Sequence, residues 1–108
     1  MKFQNTNYKV KLEAEFWAEG EWTPSDDSSN VWVEFENGTR WAATFFSYQN
    51  ILSLKEKNQV TGECLRGKYF CATDKILIDE ISRASIEAVI ANLIEENNFD
   101  VYFSQCED

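Results

Sequence analysis

A chain of 108 residues with a 44% hydrophobic and 15% aromatic content is a single domain, 1–108, that buries its own core without a metal or a disulfide frame. Its net charge of −9 excludes nucleic-acid binding through phosphate contacts and opposes anionic membrane surfaces. Three cysteines, an odd count, read as reduced thiols, with a Cys64–Cys71 bridge as an alternative.

The first residues show no signal-peptide core and no run is long enough for a bilayer span, so a cytoplasmic protein is expected. Residues 8–17, "YKVKLEAEFW", alternate. Tyr8, Val10, Leu12, Ala14 and Phe16 fall on one side, and Lys9, Lys11, Glu13, Glu15 and Trp17 on the other, which predicts a strand. A polar loop follows, with Pro24 and the Asp26-Asp27 pair. "VWVEFE" at 31–36 alternates again, and Asn37-Gly38 signals a two-residue hairpin turn. That turn sets Glu34 opposite Trp41 and Val33 opposite Ala42. The returning strand, "TRWAATFFS", is apolar on both faces and belongs in the sheet centre.

From Ser47 the period becomes helical, with Tyr48, Ile51, Leu52 and Lys55 in step and Ser47 as the cap. "TGECLRGKYFC", 61–71, reads as a connector, turning at Gly62 and Gly67 and pinned to the core by Leu65, Tyr69 and Phe70. A strand is predicted from Lys75 to about Glu80. Ser82 caps a second helix with the stripe Ile86, Val89, Ile90, Leu93 and Ile94, ended by Asn97 or Asn98. "FDVYFS" alternates as a last strand. The order β-β-β-α-β-α-β predicts an α+β fold: a mainly antiparallel sheet of about five strands with two helices packed on one face. The β-α-β ending allows one parallel pair.

With no histidine in the chain, Ser-His-Asp and Cys-His catalysis and histidine metal sites are excluded. Phosphate-binding glycine motifs are absent. No metal or cofactor is expected. Cys64 beside Arg66 and Lys68 has cations that favour a thiolate, but no general base accompanies it. Residues 55–75 carry five cations against three anions, a net of +2 that leaves −11 for the rest.

The stretches "RWAATFFSYQNI", "NQVTGECLRGKYF" and "ATDKILIDEIS" resemble a group of small acidic bacterial proteins of unknown function, over about residues 8–103. By type, such proteins are immunity-protein-like, which implies a toxin as partner but carries no site residue over.

The expected function is that of a small acidic non-catalytic binding protein. In one reading it is an immunity or inhibitor protein that occupies a basic protein partner such as a toxin. Its surface is then a sheet face joining Glu13, Glu15, Trp17, Trp32, Glu34, Glu36 and Trp41, where aromatics anchor and carboxylates steer. The competing assignment of these tryptophans is a second small core under the 20–30 loop. A different reading makes the chain an accessory or regulatory domain docking through 61–71, with Cys64, Arg66 and Lys68 as contacts. A third is an enzyme using Cys64. The sequence leaves the oligomeric state open.

Overall fold

A hairpin fixes the architecture. Gly38 N–H donates to the Phe35 carbonyl (3.0 Å) and Phe35 N–H donates to the Thr39 carbonyl (2.9 Å). Gly38 has φ +90°, whereas Asn37 is not among the residues with positive φ. This is a type I turn followed by a left-handed glycine, so the loop holds three residues, Glu36–Gly38, rather than two. The difference of one residue pairs Val33 with Trp41 and Glu34 with Arg40. The expected pairing of Glu34 with Trp41 is therefore corrected, and Trp41 changes faces.

The computed structural model describes residues 7–17, 20–70 and 75–106. In chain order the strands are β1 (Tyr8–Leu12), β2 (Ser28–Phe35), β3 (Arg40–Ser47), β4 (Lys75–Ile78) and β5 (Ser104–Gln105). The helices are α1 (Tyr48–Thr61), α2 (Glu63–Gly67), α3 (Arg83–Glu95) and α4 (Phe99–Tyr102). The fold is α+β around an open, mainly antiparallel five-stranded sheet in the order β1-β2-β3-β4. β4 runs parallel to the end of β3, at Thr44–Ser47, and β5 runs antiparallel to its start, at Trp41 and Ala42. The parallel pair thus joins the strands before and after α1, not those of the chain's ending.

One sheet face is the core. Leu12, Val31, Val33, Trp41, Ala43 and Phe45 line it. α3 closes it with Ile86, Ile90 and Ile94, the buried part of the stripe read from the sequence. Ser82 Oγ accepts from Ser85 N–H (3.3 Å) at its start, and Asn97 turns left-handed (φ +62°) after its end. The other long helix, α1, buries only Asn58.

Three strand expectations are corrected. The first strand stops at Leu12. Ala14 N–H donates to the buried Ser29 hydroxyl (3.0 Å), and Glu13–Phe16 forms a 3₁₀ turn. Glu and Ala fit a sheet poorly, and the turn buries Ala14 while leaving Phe16 exposed. Of "FDVYFS", Phe99–Tyr102 forms α4, and Ser104 begins the two-residue β5. Phe99 and Phe103 lie four apart, stack at 4.4 Å and are both buried, whereas Val101 between them is 67% exposed. A strand would bury Val101 with them; the helical turn stacks the two phenylalanines inside and leaves Val101 out. The strand at Lys75 ends at Ile78, two residues short of Glu80.

The register predicts that Trp41→Ala costs about 3–5 kcal/mol, as for a buried aromatic. Trp32→Ala, on the opposite face, costs about 1 kcal/mol. Urea unfolding of the two variants measures the difference; equal losses would contradict the pairing.

Candidate functional site

The seven residues expected on one sheet face do not come together. Trp41 lies in the core, 6% exposed, edge-on to Phe99 at 5.7 Å. Trp17 is half-buried against the core. Glu15 leaves the sheet on the 3₁₀ turn, and its carboxylate accepts from Arg83 Nη2 and Nε at 2.6 and 2.9 Å. Glu36 sits in the hairpin loop, accepting from the Asn7 amide at 3.3 Å. Glu13 accepts from Asn30 Nδ2 at 3.1 Å. Trp32 and Glu34 remain on the outer face. There Trp32 lies in register between Lys11 and Ala42, and Glu34 between Lys9 and Arg40, with Arg40 Nε 3.3 Å from its carboxylate. The face is therefore mixed in sign.

Arg83 also donates from Nη2 to the Val10 carbonyl (3.1 Å) on the edge strand β1. It thus ties the start of α3 to β1 and to Glu15. The hydrogen bond from Arg83 holds the Glu15 carboxyl below its ordinary pKa, against a smaller opposing effect of burial. A depressed folded-state value means that the pair stabilises the fold above the unfolded-state pKa. The contribution is lost as pH falls through the folded-state value. Glu15→Gln is expected to cost about 0.5–1 kcal/mol at pH 7, the range of a partly exposed pair. In urea titrations the gap to the parent closes in acid; a gap that persists at about pH 2 would contradict the assignment.

The second candidate surface is an arm. Ser47, fully buried, ends β3 and starts α1: its Oγ accepts from Asn50 N–H (3.1 Å) and from Asp27 N–H (3.2 Å). The Asp26 carboxylate accepts from Asn50 Nδ2 (3.2 Å) and Ser53 Oγ (2.8 Å). The polar loop of the sequence thus clamps the root of α1. At its far end Gly62 (φ +89°) stops the helix, and Cys64, Leu65 and Arg66 form a left-handed turn with φ of +52°, +50° and +60°. Left-handed backbone costs roughly 1–2 kcal/mol per non-glycine residue. Gly67 is buried, and a Cβ there would stand 2.5 Å from the Lys55 carbonyl oxygen.

Of the three side chains expected to pin this connector, only Phe70 does so, edge-on to Phe46 at 5.3 Å. Leu65 and Tyr69 point outward, a correction that follows from the left-handed turn. On α1, Tyr48, Leu52 and Val60 are exposed as well, Val60 to 89%. Lys55, Lys57, Arg66 and Lys68 are exposed and make no ion pair among the described residues. Cys64 is a half-buried free thiol; Cys71, its suggested partner, lies outside the described residues. Among the described residues no group of three or more histidine, cysteine or carboxylate side chains is placed to hold a metal ion. No helix of theirs is long and apolar enough to cross a membrane.

A third surface is the corner at α4. Phe99 and Phe103 anchor it, leaving Glu96, Asp100, Val101 and Tyr102 exposed. Sequence reading placed Asp100 and Val101 on a strand, and so did not group them with Glu96. Glu96 caps the end of α3, and the left-handed turn at Asn97 leads from it into α4.

Compared with protein-family models, with curated proteins and with solved structures, the chain matches none.

Gly67→Ala combines a left-handed φ of +80° with a clash against backbone, whereas Gly62→Ala meets open space. The first is expected to cost about 2–4 kcal/mol of arm stability and the second about 1 kcal/mol. Hydrogen exchange checks this: Gly67→Ala accelerates exchange in residues 48–70 far more than in α3. Equal acceleration in both variants would contradict the close packing.

Proposed function

We propose that this chain is a non-catalytic binding protein that docks a partner protein through the arm formed by α1 and α2. One observation carries the reading. The arm adds no apolar residue to the buried core, yet it presents exposed apolar side chains and four cations that have no ion-pair partner among the described residues. Apolar surface of this kind gains from being covered, and an excess of cations on the same arm, four against the exposed Glu56 and Glu63, favours an anionic partner. This supports the docking role of 61–71, widened to include α1. Arg66 and Lys68 are its central contacts, and Cys64 is half-buried within the turn that presents them.

The tryptophan–glutamate face has less in its favour. Trp41 is inside, and Glu15 and Glu34 are engaged by Arg83 and Arg40. A basic partner such as a toxin, as for an immunity or inhibitor protein, finds better support at the α4 corner, where Glu96 and Asp100 are exposed along with Val101 and Tyr102. As part of the same proposal the protein works in the cytoplasm, which the free thiols of Cys64 and Cys106 support.

An affinity pull-down from the source organism tests the assignment of surfaces. The parent chain retains an acidic protein, and Arg66→Glu with Lys68→Glu loses it while Trp32→Ala keeps it. Loss with Trp32→Ala and retention with the arm variant would overturn the reading.

A further inference from the structure

The arm and the α4 corner are complementary. The arm offers Leu52, Leu65 and Tyr69 with Arg66 and Lys68, and the corner offers Val101 and Tyr102 with Glu96 and Asp100, all exposed. Each sets exposed apolar side chains next to charged ones in the chain; the arm's cations outnumber its exposed Glu56 and Glu63, whereas the corner's charges are carboxylates, and such opposite signs favour contact. We infer that the arm of one copy occupies the α4 corner of a second copy, so that the chain associates with itself head to tail. The inference rests on the proposed reading of the arm as a binding surface, and it names the partner.

Topology separates the two surfaces within one copy. α1 begins where β3 ends, at Ser47. α4 leads into β5, which pairs with Trp41 and Ala42 at the start of β3, and Phe99 packs on Trp41. β3 is eight residues long, so the roots of arm and corner stand about 20 Å apart along the strand. We therefore place the contact between arm and corner across molecules. Arm against arm would set Arg66 and Lys68 against their own copies, and corner against corner would oppose Glu96 and Asp100. The like-charge cost disfavours both two-fold arrangements. A contact between different surfaces leaves one arm and one corner open, so it propagates or closes into a ring.

Salt alone is a poor readout, because it screens the attraction between arm and corner and also the repulsion between chains of net charge −9. Charge exchange is decisive. Sedimentation over a concentration series, with circular dichroism as the folding control, compares four samples. The parent associates. Arg66→Glu with Lys68→Glu, and separately Glu96→Lys with Asp100→Lys, each move the midpoint concentration up by about tenfold or more. Mixing these two variants, or combining all four substitutions in one chain, brings association back toward the parent value. That recovery also shows that the variants are folded.

A parent chain that stays monomeric throughout the series would overturn the inference. So would association that the corner exchange leaves unchanged, the mark of an arm-to-arm contact. If the parent is monomeric while the arm variant still loses a foreign acidic protein in the pull-down, the head-to-tail inference fails and the proposed function stands. If the arm exchange alters neither, both fail.

Discussion

The three-residue turn at Glu36–Gly38 is the constraint on which the rest depends. Its left-handed glycine sets the pairing of β2 with β3, and a strand has only two faces, so one residue of register assigns every side chain on β3. With Val33 opposite Trp41, the indole enters the core, where its Nε1 donates to Thr39 Oγ1 at 3.3 Å and its ring meets Phe99. Phe99 in turn contacts Phe35 and stacks on Phe103, which packs against Phe45. The aromatic chain that holds α4 against the sheet therefore begins with the hairpin. The same register brings Glu34 to Arg40 and removes an acidic aromatic face from the molecule.

The two surfaces proposed for binding stem from the two ends of β3. At one end Ser47 converts strand into helix, and its hydroxyl serves both the cap of α1 and the loop at Asp27. Helix α1 leaves the core there and returns through a left-handed turn, a backbone shape that side chains resist. Close packing of Gly67 on α1 helps hold that shape. At the other end α4 and β5 fold the chain back on Trp41. The apolar-cationic surface and the apolar-acidic surface are thus consequences of where the central strand starts and stops.

Much of this was legible in the sequence. The alternation of 31–35, the stripe Ile86–Ile94, the serine caps and Asn97 each rest on a local rule that tertiary contacts reinforce. The failures lie where two local rules compete. Asn37-Gly38 serves two-residue and three-residue turns alike, and the choice follows from burying Trp41. Phe99, Val101 and Phe103 satisfy a strand, while Phe99 and Phe103 alone satisfy a helical turn; the core takes the pair and leaves Val101 out. Residues 8–17 continue their alternation past Leu12, but the partner that stops the ladder is the Ser29 hydroxyl, fifteen positions from Ala14. The left-handed turn at Cys64–Arg66 has no sequence signal beyond its flanking glycines, so Leu65 and Tyr69 were expected inside.

The most direct measurement is the β2–β3 pairing by nuclear Overhauser contacts between α-protons. Phe35 and Thr39 share a ladder hydrogen bond, so Glu34–Arg40 and Trp32–Ala42 are the non-hydrogen-bonded pairs, whose Cα atoms approach to about 4.5 Å. Strong α-proton contacts at those two pairs are the result expected here. Contacts pairing Glu34 with Trp41, or Val33 with Ala42, would contradict the register. They would return Trp41 to the outer face, beside Trp32 and Glu34.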